Sequence, residues 1–173
     1  MTTRSADAAP EAADFERRAA AKVAAEVPEA DPTIFAATFD LIRLATRLMH
    51  DLESRVHRPA GWSYAGFRVM FTVWVCGELS PHRIAHLSGL SRAAVSSVLN
   101  TLERDGLVTR TRESSDRRLV TIRLTGEGER RIRDAYAGQD ARARHLLRDL
   151  DDDELATLAA LCRRALATPR ADT

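Results

Sequence analysis

A chain of 173 residues holds one domain with an appendage, and 45% apolar with 29% charged residues is a globular balance that excludes a disordered chain. The net charge of +1 excludes a polycation, yet residues 82–131 carry ten Arg against six Asp and Glu, leaving the remainder acidic. A local basic segment on a near-neutral chain suits a local anionic partner. Lys22 is the single lysine, so nearly all positive charge is guanidinium, which suits two-point contact with phosphate or guanine. No apolar run reaches the ~20 residues needed to cross a bilayer, and no signal-peptide core opens the chain. Two cysteines without a CxxC point away from a disulfide scaffold or zinc site. The expected compartment is the cytoplasm, with no cofactor and no metal.

Residues 1–30 read as a flexible extension, partly helical over 14–27, where Phe15, Val23 and Val27 are the large apolar residues. Asp31-Pro32 then signals a helix start, an N-cap followed by proline at the first helical position. Phe35, Thr38, Ile42, Ala45, Met49, Leu52 and Val56 repeat at spacings of three and four, predicting a helix of roughly 25 residues, or ~37 Å. A helix that long overhangs a small domain, and pairing with a second copy is the economical way to bury its stripe.

Pro59 and Gly61 end that helix, and Ser63 caps a helix over 64–79 that is apolar nearly all round and therefore central. Cys76 on it, and Cys162 on a later apolar stripe, read as small core hydrophobes. Ser80-Pro81 opens a short helix over 82–87, whose His82 and His86 read as packing or capping residues, with contact to a nucleic-acid backbone as the alternative. Ser88-Gly89-Leu90 makes a turn, and residues 91–106, SRAAVSSVLNTLERDG, make the next helix. Val95, Val98, Leu99 and Leu102 form its apolar stripe, while Ala93, Ser97, Asn100 and Arg104 form a small, polar opposite face. Ser91 is a good N-cap and Gly106 a good C′ residue. Two short helices around such a turn make a helix-turn-helix, whose second helix enters the major groove.

After Gly106 the period changes from 3.6 to 2. Residues 107–112 and 118–124 read as strands around the polar tip 113–117, a wing directly after the helix-turn-helix. Thr125 caps a helix of about 20 residues, and Asp151 to Glu154 (DDDE) opens the last one as a capping box. The expected fold is mostly α with a small β-hairpin wing, a winged helix-turn-helix flanked by long dimerisation helices. Its parts are an extension (1–30), a dimerisation helix (31–62), the winged helix-turn-helix (63–125), C-terminal dimerisation helices (126–168) and a tail (169–173).

Residues 33–168, and most densely 84–125, resemble the multiple-antibiotic-resistance regulator (MarR) family of winged-helix repressors. The marks are Leu102-Glu103-Arg104-Asp105-Gly106-Leu107-Val108, Asp116-Arg117-Arg118 at the wing tip and Leu124-Thr125. The resemblance implies a homodimer, a palindromic double-stranded DNA operator, and release by a small molecule or by cysteine oxidation. It places Arg118 in the minor groove, where a narrow groove concentrates negative potential. Asp116 would hold the wing arginines, with Arg112 and Arg117 on phosphate. Ser91 and Arg92 would meet phosphate at the helix start, and Ala93, Ser96, Ser97 and Asn100 would face bases, Asn100 reading adenine through N6 and N7.

Family members often take small aromatic acids between the dimer helices and the winged helix. Arg43, Arg47, His50, Trp62, Tyr64, Arg68 and Trp74 are the cationic and aromatic residues expected near that zone. Phe67 is followed by Arg68 rather than an acid, which counts against urate, and the first long helix lacks the reactive Cys of the oxidation-sensing branch. An enzyme is not expected, because no phosphate loop, GxSxG, HExxH or local Cys/His pair occurs. The alternative is a winged helix used only as a protein-interaction module.

Overall fold

The computed structural model describes residues 8–112 and 120–169. The chain divides into two compact units, Met1–Arg47 and Leu48–Thr173. In the first, helix α1 (Ala8–Glu26) precedes the start of helix α2 (Pro32–Leu52). Asp31 caps α2 as its sequence implies, its Oδ1 accepting from the backbone N–H of Thr33 at 2.7 Å and of Ile34 at 3.1 Å. Phe15 of α1 meets Phe39 of α2 at 6.0 Å between ring centroids, and Arg43 reaches Glu16 at 3.4 Å.

In the second unit the regular helix stops at Leu52 and gives way to a π-helical turn, Glu53–His57. The stripe through Val56 had predicted α-helix here. The wider turn, closed by Arg58 N–H on the Glu53 carbonyl at 2.9 Å, admits one extra residue and brings His57 to full burial. Helix α3 (Tyr64–Cys76) follows, capped by Ser63 Oγ on the Gly66 N–H at 3.0 Å. It ends three residues earlier than its apolar run suggests, because Gly77 turns the chain into a short bridge. Leu79 and Ile122 exchange backbone hydrogen bonds at 3.1 and 2.8 Å, giving the wing a third backbone partner. Cys76 is exposed on the last turn of α3 rather than buried in it, and Cys162 is half-buried.

Helix α4 (Pro81–Ser88) and helix α5 (Arg92–Arg104) form the helix-turn-helix. Strands β1 (Val108–Arg112) and β2 (Val120–Leu124) pair antiparallel, with Val108 opposite Leu124 and Arg112 opposite Val120. Helix α6 (Gly126–Leu146) and helix α7 (Asp152–Leu166) complete the chain. The capping box at α7 is present in both directions: Asp151 accepts from the Glu154 N–H at 2.8 Å, and Glu154 accepts from the Asp151 N–H at 2.9 Å.

The core of this unit gathers round α3. Met70, Ile84, Leu99, Ile122 and Ile132 are fully buried, one each from α3, α4, α5, β2 and α6. At about 1.5–3 kcal/mol per fully buried large side chain, these five tie α3, α4, α5, β2 and α6 into one core. Helix α7 contributes no buried residue.

The start of α6 touches Leu107, the residue before β1, at one crowded point. A methyl group on Gly128 would overlap the Leu107 carbonyl oxygen and lie 3.4 Å from Met70 Cε. Glycine inside a helix ordinarily costs about 1 kcal/mol relative to alanine. Here the overlap dominates, so Gly128→Ala is expected to lower stability by about 1–3 kcal/mol, read as a shift in the urea unfolding midpoint.

Candidate nucleic-acid interface

Helix α5 is built to bury one side and offer the other. Val95, Leu99 and Leu102 are buried, while Ser91, Arg92, Ala93, Ser96, Ser97 and Asn100 are all exposed. Ser91 Oγ accepts from the Ala94 N–H at 3.1 Å, fixing where the helix starts. Gly106 ends it at φ +70°, a conformation that favours glycine. Ser97 and Thr101 also border a cleft of about 220 Å³ shared with Trp62, Ser63 and Arg131, so that flank of the helix faces sideways.

Asn100 is not free. Arg110 Nη2 of β1 donates to Asn100 Oδ1 at 2.5 Å, and Arg110 Nε lies 3.0 Å from Glu103 Oε2. Arg110 was missed by sequence reasoning. Its signal was parity: it shares a strand face with buried Val108, and that face packs toward α5.

Arg112 is the last residue of β1, opposite Val120. Asp116, Arg117 and Arg118 lie outside the described residues. His82 and His86 are exposed on α4, on the solvent side of Ile84 and Ala85, and neither packs in the core.

The expected effector residues fall in different places. Arg43 and Arg47 belong to the first unit, where Arg43 stands over the Phe39 ring at 5.3 Å. His50 is exposed on α2. Trp62 is buried beneath Arg131, whose guanidinium lies 5.3 Å from the ring and donates to the Ala60 carbonyl at 2.6 Å. Arg68 stands over Tyr64 at 5.9 Å and donates to the Ser88 carbonyl, tying α3 to α4. Trp74 packs 6.0 Å from Tyr136, beside a separate cleft of about 380 Å³ that also holds Arg123 and Glu129.

The larger cavity, about 750 Å³, lies between the turn after the π-helix and α6. Trp62, Arg55, Arg130, Arg131, Arg142 and Asp134 are on its wall. Arg142 forks onto Asp51 at 2.5 and 2.8 Å, and Arg130 pairs with Glu127 and Asp134. Arg131 is the wall guanidinium that meets no carboxylate among the described residues.

The MarR family's sequence profile matches residues 62–120. The transcriptional regulator YwaE of Bacillus subtilis is 32% identical over 125 residues, covering 72% of this chain and 73% of its own. The chain belongs to the MarR family. YetL of the same organism, a transcriptional repressor, is 26% identical and covers 70% of this chain and 71% of its own. BpsR of Bordetella bronchiseptica, solved in work on regulation of its DNA binding by 6-hydroxynicotinic acid, superposes with a TM-score of 0.69 at 18% identity, covering 75% of this chain and 98% of its own. This MarR-family chain is therefore a DNA-binding transcriptional regulator with a winged-helix fold. Among its described residues no helix is long and apolar enough to cross a membrane.

Where the π-helical turn meets α3, the regulator buries a titratable ring. His57 Nε2 faces Gln139 Oε1 at 3.1 Å, and an amide oxygen only accepts, so Nε2 carries the proton and Nδ1 is a bare acceptor. Nδ1 has no partner, and the ring packs 4.5 Å from Phe67 and 5.5 Å from Tyr64. Burial lowers the His57 pKa below 6.5, outweighing the Gln139 bond and the Glu53 charge that oppose it. The Arg142 fork holds the Asp51 carboxyl below its ordinary 3.8, against the opposing effect of burial and with Arg55 assisting.

Both shifts cost stability on the acid side, in separate pH windows. Above pH 6.5 the His57 contribution to stability is complete; below it the unfolded ring takes up a proton that the folded ring resists, so stability falls toward the lowered folded pKa. The Asp51 contribution is complete above 3.8 and is lost below it, as pH falls through the lowered folded pKa. Urea midpoints measured between about pH 5 and pH 8 should decline on the acid side, and His57→Leu should flatten that slope while leaving the loss below pH 3.8 in place.

Proposed function

We propose that this regulator is a homodimeric repressor that binds a palindromic operator and releases it when a small aromatic or anionic effector binds. The observation that carries the reading is the exposed row Ala93, Ser96, Ser97 and Asn100 on a helix whose opposite side is buried. Small polar side chains let the helix approach base edges closely. Its N-terminus adds free N–H groups beside Arg92, suited to a phosphate.

A second copy is supported by α7. None of its residues is fully buried against the described residues, Leu155 and Leu158 are half-buried, and Leu161 and Leu166 are exposed, Leu166 at 83%. Exposed apolar stripes of this kind mark association surfaces. A two-fold dimer reads two half-sites about one helical turn, ~34 Å, apart, which is why the operator is expected to be palindromic. The repressor role follows the name of YetL.

For the effector, Arg131, which meets no carboxylate among the described residues, lies over the largely buried Trp62 ring at the edge of the 750 Å³ cavity. That combination suits an aromatic carboxylate. BpsR, regulated by 6-hydroxynicotinic acid, provides the analogy.

Electrophoretic retardation with DNA upstream of the chain's own gene tests the reading, alongside light scattering for the mass. Specific retardation by a dimer is expected. Arg118→Ala should weaken binding across all sequences and shallow the salt dependence by about one unit of slope. Hydroxylated aromatic acids should quench Trp62 fluorescence and release the DNA, and Arg131→Ala should raise the concentration required by about ten-fold, the loss of one charge-assisted hydrogen bond.

A further inference from the structure

We propose that Arg110 determines which base Asn100 reads, making it a guanine reader where an unrestrained asparagine would favour adenine; the inference rests on the DNA-reading role of α5 given above. A guanidinium has donors and no acceptor, so the amide atom facing Arg110 is the Asn100 oxygen, at 2.5 Å. Glu103 Oε2, 3.0 Å from Arg110 Nε, holds the guanidinium in that position. The arginine is also rooted in a fixed strand. Arg110 sits opposite Ile122, which is fully buried, and its own side chain is only 30% exposed.

Adenine requires two different groups of an asparagine: an oxygen to accept from N6–H and an N–H to donate to N7. In this helix one lone pair of the oxygen is taken by Arg110, and the cation beside it opposes the approach to the other of a further donor such as the adenine amino group. What remains for the groove is the Asn100 amino group with its two N–H donors. Guanine presents O6 and N7, both acceptors, on its major-groove edge. The positive field of Arg110 favours that acceptor-only edge as well. Arg110 is thus a positioning residue, acting on the base through Asn100 without needing to touch it.

The test begins with the operator obtained by selection on wild-type protein, followed by every single base-pair change. Asn100→Ala identifies the pair that Asn100 reads, as the pair whose preference it flattens. That pair is expected to be G·C, with replacement of guanine by adenine weakening wild-type binding on the order of ten-fold. Arg110→Met should abolish or invert the guanine preference at that pair and leave preferences elsewhere unchanged. Glu103→Gln, which loosens the guanidinium without removing it, should move the ratio in the same direction by a smaller factor, and it carries the test if Arg110→Met fails to fold. An adenine at the Asn100-dependent pair, a guanine preference unaltered in both variants, or no pair sensitive to Asn100→Ala overturns the inference while leaving the DNA-binding function standing. Wild-type protein that retards no DNA specifically overturns that function and this inference together.

Discussion

Thr125 holds the two ends of the wing together. Its N–H donates to the Leu107 carbonyl at 3.0 Å, and its hydroxyl donates to the Gly106 carbonyl at 2.8 Å while accepting from the Gly128 N–H at 2.9 Å. One residue thereby joins the end of α5, the start of β1, the end of β2 and the start of α6. The clasp adds to the Arg110 bridge and the shared core in fixing the angle of α5 to the strands. The tight fit of Gly128 beneath Leu107 lets α6 begin close enough for the clasp to form. Exposed hydrogen bonds are individually weak, about 1 kcal/mol each, but all three belong to one residue, two of them share its hydroxyl, and they are backed by Met70 and Leu107 in the core.

The junction beneath that clasp carries two neighbouring spaces. Trp62 and Arg131 line both the 750 Å³ cavity and the smaller cleft beside Ser97 and Thr101. A molecule that drew Arg131 away from the Ala60 carbonyl would remove part of a wall that the flank of α5 also uses. Trp62 and Arg131, in direct contact with each other, are thus shared between the two spaces.

Much of this architecture was legible because it is written locally. Ser63, Ser80, Ser91, Thr125 and Asp151 each precede an apolar period, and each caps the helix it announces. The buried side of α5 follows from spacing alone. What could not be read depends on contacts between distant segments. The π-helical turn arises where Val56 and His57 meet α3 and α6, and nothing in a 3.6 period marks it. The Leu79 bridge needs β2, 43 positions along the chain, to be alongside. Arg110 looked like one more basic residue of a strand, and only the packing of β1 on α5 assigns it to Asn100. Cys76 was misjudged for a related reason: α3 is buried along most of its length, but its last turn emerges beside Gly77.

The modest size of the residues along the outward row of α5 has an entropic side. Alanine has no rotamers to lose, serine has few, and the one longer member, Asn100, is already tethered. In the proposed DNA-reading role this row would be ordered before it met a target, and docking would freeze little of the protein. On that proposal the ordering cost of recognition falls on displaced water and on the stiffness of the duplex, so operator variants should be ranked by how readily they bend and narrow as well as by the letters they display.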